Sequence, residues 1–223
     1  AQTQLLTLAR ALQNMEQRTG LPYPGANPYP IEEDPYLQDL LGLAGPTGMK
    51  LASPPEGTPW TVLHEVVHIW NAHQRPLWMI EGLANYYSFL IMQDLKLSFM
   101  GRETYPEYIK AWREIQGTTD DLPLEGHYLD LPQGKAMAWW AMIHELFGPD
   151  FVTRVFVRLY QEQQLTTAQL ADMLREVAGK DPAPLLDAWV RPGPYRVLKT
   201  TDFGPVRYPL TGVWPPSYSG VAF

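Results

Sequence analysis

Apolar residues recur along most of this chain at helical rather than alternating spacing. Leu5, Leu8, Ala9, Leu12 and Met15 share one face of a helix expected over Thr3–Arg18, and Gly20 stops it. Prolines force the next stretch, LPYPGANPYPIEEDPY, into extended chain and turns. Its three acids, in IEEDPY, read as a solvated turn. A short strand is expected over Met49–Ala52, ended by Pro54 and Pro55. Thr58 and Pro59 then supply an N-cap and a first-turn proline for a helix that ends before Arg75–Pro76. A second helix is expected from Leu77 to Leu95. Others follow over Lys135–Phe147, Pro149–Gln161 and Thr167–Ala178, with a final turn or two in DPAPLLDAWV. Beyond Arg191 the chain is rich in proline, glycine and aromatics. It is expected to wrap over the body, with Tyr208, Trp214 and Tyr218 packed on it.

The pattern describes a mainly α protein with a small β element (α+β). Its parts are an N-terminal region (1–57), a helical body (58–197) and a tail (198–223).

Composition narrows the partners. The 223 residues suffice for one substantial core. A net charge of −7 and a pI near 5.2 argue against nucleic acid. The longest apolar run, Ala136–Ile143, is too short to span a bilayer. Within it, Met137, Trp139, Trp140 and Met142 read as core. The absence of cysteine excludes disulfides and thiolate ligands. The start, AQTQLLTLARALQ, is what a removed signal peptide leaves, which favours an extracytoplasmic (secreted or periplasmic) location.

The chemistry lies in TVLHEVVHIWNAHQRPLWMIEGLANYY. His64 and His68 are four apart, so both imidazoles leave one helix face, the HExxH spacing of a zinc site. Glu65 is placed to act as a general base without being a ligand. A catalytic zinc takes a third protein ligand. Five residues carry the chain from His68 to His73, and five more from Pro76 to Glu81, so an antiparallel return brings Glu81 level with His68. Gly82 would let these two helices approach closely. Asn85, one turn further, could hold the free nitrogen of a liganding histidine. His73 faces away from this side and reads as a helix-end residue. HELFG at His144–Gly148 has no second histidine and reads as ordinary helix surface.

HEVVH followed by LWMIEGLANYYS resembles the gluzincin metallopeptidases. The likeness is to small peptidase-MA-like proteins and, behind them, to the aminopeptidase-N and glycyl-aminopeptidase families. GKAMAWWAMIHELFGPDFVTRVFVRLY and the turn WVRPGP are similar to later segments of the family, so the likeness runs from Trp60 to Val197. It implies a thermolysin-like catalytic domain with one Zn2+ per chain held by His64, His68 and Glu81. Peptide bonds would be cut by a zinc-activated water, with Glu65 as base and Asn85 where the clan often has aspartate. The partner implied is a peptide or protein substrate, met by a monomer. Three departures stand out. The twelve residues between His68 and Glu81 are a shorter gap than aminopeptidase-N relatives have. Gln133 stands where the family places its oxyanion tyrosine, leaving Tyr128 or His127 to reach in from the loop. GPTGMKLA carries no acid to hold a substrate amino terminus, which points to an endopeptidase. The alternatives are a zinc-holding protein of this fold that binds peptides without cleaving them, and a metal-free helical domain.

Overall fold

The computed structural model describes residues 2–34, 36, 42–52, 59–71, 76–97, 105–116, 118, 120–127 and 133–191. Thr58, His73, Tyr128 and the whole tail with Tyr208, Trp214 and Tyr218 lie outside them. The described residues are mostly helical with one small sheet. None of their helices is long and apolar enough to cross a membrane.

The first helix, α1 (Gln2–Thr19), buries Leu8, Ala11 and Met15 at helical spacing. It ends at Gly20, whose φ of +69° suits glycine and whose N–H donates to Glu16 O at 2.8 Å. Three strands follow: β1 (Ile31–Asp34), β2 (Gly42–Gly45) and β3 (Gly48–Ala52). Their order is β1-β3-β2, with β1 parallel and β2 antiparallel to the central β3. The acidic stretch expected to be a solvated turn is therefore a strand. It is recruited by β3 in the register Ile31 to Met49, and Lys50 Nζ pairs with Asp34 Oδ2 at 3.2 Å. β2 packs on the next helix, α2 (Pro59–Asn71).

The centre of the molecule is α3 (Leu77–Asp94), buried almost all round between α2 and α6 (Gly134–Phe147). A helix apolar on every face needs neighbours on every face, and it has them. Gly82 serves this packing, though not where the spacing suggested. A Cβ there would come within 2.9 Å of Ala136 Cβ and 3.0 Å of the Trp140 ring, so the glycine admits α6 rather than α2. Trp139 and Trp140 are core, Trp140 stacking on Trp78 at 6.1 Å between ring centroids.

Around this centre lie α4 (Tyr105–Ile115), the short α5 (Leu124–His127), α7 (Pro149–Glu162), α8 (Thr167–Ala178) and α9 (Ala183–Trp189). The spacing left α4 unmarked; it contributes Trp112, packed 5.0 Å from Trp189. Thr166 and Gln169 form a capping box on α8. His144 is not surface. It is buried and bonded through Nδ1 to the Tyr86 hydroxyl, and burial lowers it to about 4, so it is neutral at pH 7. At the start of α6, Lys135 Nζ meets Asp121 Oδ1 at 2.7 Å, both side chains buried, and also donates to Leu122 O. This clasp fixes the N-terminal end of α6, where Gln133 projects.

Candidate metal centre

His64 and His68 leave α2 one turn apart, and Glu81 meets them from the second turn of α3. The two Nε2 atoms are 2.9 Å apart. Glu81 Oε2 lies 3.2 Å from His64 Nε2, and Oε1 lies 3.5 Å from His68 Nε2.

The far nitrogen of each ring decides what these distances mean. His64 Nδ1 is 2.9 Å from Asn85 Oδ1, and His68 Nδ1 is 2.8 Å from Asn71 Oδ1. Asn71 Nδ2 donates to Ile80 O, and Asn85 Nδ2 to Gln133 Oε1, each at 3.2 Å. Both amides are thereby turned with oxygen toward the ring, so each Nδ1 carries the hydrogen. Both Nε2 lone pairs then face each other and the Glu81 carboxylate. Three electron-rich groups this close repel unless a cation sits among them.

Zinc fits as that cation. With bonds of about 2.0–2.1 Å, a tetrahedral ion spaces its ligands about 3.3 Å apart. The edges here are 2.9, 3.2 and 3.5 Å. Two imidazoles and one carboxylate are also the donor set that leaves a fourth position open. In the metal-free protein a proton takes the role. Burial would lower His68, but the hydrogen bond and charge of Glu81 outweigh it and hold His68 at about 9. Burial would likewise raise Glu81, but His64 and His68 keep it well below the usual carboxylate range.

Glu65 is 5% exposed and lies in the field of all three groups. Burial raises its pKa, partly offset by the two histidines and by a hydrogen bond from the Ala44 N–H of β2. Its Oε2 is buried without a hydrogen-bond partner among the described residues. Such an oxygen is open to a proton.

The structure thus brings together His64, Glu65, His68, Glu81 and Asn85, and adds two residues the spacing did not single out. Asn71 stands three after His68, on the same helix face, and that interval was its only signal. Gln133, in the place expected of an oxyanion tyrosine, instead reaches the centre through Asn85, behind the His64 ring. His127 is half-buried at the end of α5 and is not one of the converging ligands. Glu125 anchors that segment, its N–H donating to Val190 O and its Oε1 accepting from Thr167, both at 2.8 Å. No protein-family model, curated protein or solved structure matches this chain.

Proposed function

We propose that this chain is a gluzincin-type zinc metallopeptidase that cuts within peptide chains. The convergence of the His64, His68 and Glu81 lone pairs beside a buried glutamate carries the reading. A metal held for structure alone needs no base, and Glu65 has the place and the free oxygen of one.

When bound, zinc would supply Lewis acidity, making water more acidic and polarising a scissile carbonyl. Glu65 Oε2 would take the proton from the attacking water and pass it to the leaving amine nitrogen. Its raised pKa suits that exchange. Asn71 and Asn85 would hold both rings in the Nδ1–H tautomer throughout.

The edge of the sheet offers a place for substrate. Met49 N–H donates to Pro30 O, toward β1, so its partner Ala44 turns its own polar groups outward on β2. No strand covers that edge among the described residues. The Ala44 N–H is taken by the Glu65 carboxylate, so an extended peptide could meet that edge through the Ala44 carbonyl, beside Glu65. The strand GLAG has no acid to hold an amino terminus, which favours internal cleavage.

Elemental analysis should find one zinc per chain, lost or weakened in Glu81→Ala. Peptide-library hydrolysis by the loaded protein should fall about 10²–10⁴-fold in Glu65→Gln. A chain that takes up no zinc on reconstitution, or a Glu65→Gln variant as fast as wild type, would refute the proposal.

A further inference from the structure

Glycine at position 42 has no explanation in the strand that contains it. Its backbone is extended without a positive φ, and it lies within β2. Gly42 opens β2, where no positive φ calls for glycine, so the space around it must be what favours the residue. A Cβ built at Gly42 would lie 2.6 Å from Glu65 Cγ, 2.7 Å from Oε1 and 2.8 Å from Cδ. The space where a side chain would begin is filled by the carboxylate of the candidate base. Two residues on, Ala44 faces the same helix and gives its N–H to that carboxylate. Oε2 is left buried and unpartnered.

We infer that β2 is a clamp that positions the base: Gly42 makes room for the Glu65 carboxylate, Ala44 N–H holds it, and Oε2 is thereby presented to the reacting water. Gly42 is a positioning residue, and the inference rests on the peptidase reading. The obstructing atoms belong to a flexible side chain rather than to backbone. A methyl group at position 42 therefore displaces the carboxylate while leaving His64, His68 and Glu81 in place.

The test is a four-member set: wild type, Gly42→Ala, Glu65→Ala and the double variant. In the metal-free proteins, Gly42→Ala should lower Tm by about 2–4 °C in wild type. In the Glu65→Ala background that loss should vanish or reverse, because the obstruction is gone and alanine suits a strand better. In the zinc-loaded protein, Gly42→Ala should keep one zinc per chain while kcat falls at least about tenfold toward the Glu65→Gln level. Equal Tm costs in both backgrounds would overturn the clamp, as would a loaded Gly42→Ala with wild-type kcat. A wild-type chain that holds zinc yet cleaves nothing would overturn the peptidase reading and the catalytic meaning of the clamp. The Tm cycle would still report the contact separately.

Discussion

Behind His68, Asn71 passes its amide hydrogen to the backbone carbonyl of Ile80, whereas behind His64, Asn85 passes its own to the side chain of Gln133. A backbone carbonyl can only accept, so Asn71 has one orientation. A glutamine amide can turn over, and Gln133 is solvent-exposed at the start of α6. Asn71 and Asn85 are both fully buried, yet one is locked by the main chain of α3 and the other by a residue that water can replace. The same hydrogen bond to an imidazole is thus rigid on one side of the centre and adjustable on the other.

Breaking the rigid side should have the largest effect. Asn71→Leu leaves the Nδ1–H of His68 without a partner in the core, at a cost of about 1–3 kcal/mol, while Ile80 O keeps its bond within α3. Tm of the metal-free protein should drop clearly, and zinc affinity, measured by chelator competition, should fall about 100-fold. An unchanged affinity would show that Asn71 does not orient the ring.

The pH response comes next. His68 titrates at about 9 in the metal-free fold against 6.5 unfolded, so its contribution is complete below pH 6.5 and lost as pH rises through about 9. Glu81 is depressed below 4.5, so its contribution is complete above pH 4.5 and lost as pH falls. Thermal scans should therefore give a stability contribution from this pair that is greatest between pH 4.5 and 6.5. Glu81→Gln should remove most of the alkaline slope. A slope of wild-type size in that variant would mean the proton is not shared with Glu81.

On the adjustable side, Asn85→Leu should weaken zinc about tenfold. Gln133→Leu should weaken it less than that, because water can accept the Asn85 hydrogen. If Gln133→Leu matched Asn71→Leu, the distinction between the two sides would disappear.

How much of this was legible depends on distance along the chain. His64, Glu65 and His68 follow from the helical period, Asn85 from the same period on α3, and Glu81 from the proline that turns the chain back. These are local relations. Gly82 shows their limit: spacing fixes the level at which two helices meet but not which neighbour a residue faces, and α6 lies more than fifty residues on. The strand expected over Met49–Ala52 is there as β3, but β1 and β2 were missed for a similar reason. β1 carries three acids in a row and β2 two glycines, so neither has an alternating apolar pattern, and both owe their form to pairing with β3. His144 looked like surface because its partner, Tyr86, is 58 residues away.

With Gly82 seated against Ala136 and Trp140, α6 fixes the rotation of α3 about its own axis together with α2, whose Asn71 bonds Ile80 O. Glu81 is the residue next to that contact, so the docking of α6 bears on its final orientation. During refolding, the capacity to capture zinc should therefore emerge with the packing of α6 and lag behind the formation of α2 and α3. Stopped-flow capture by a zinc-loaded dye, compared between wild type and a slow-docking Ala136 variant, would time that step.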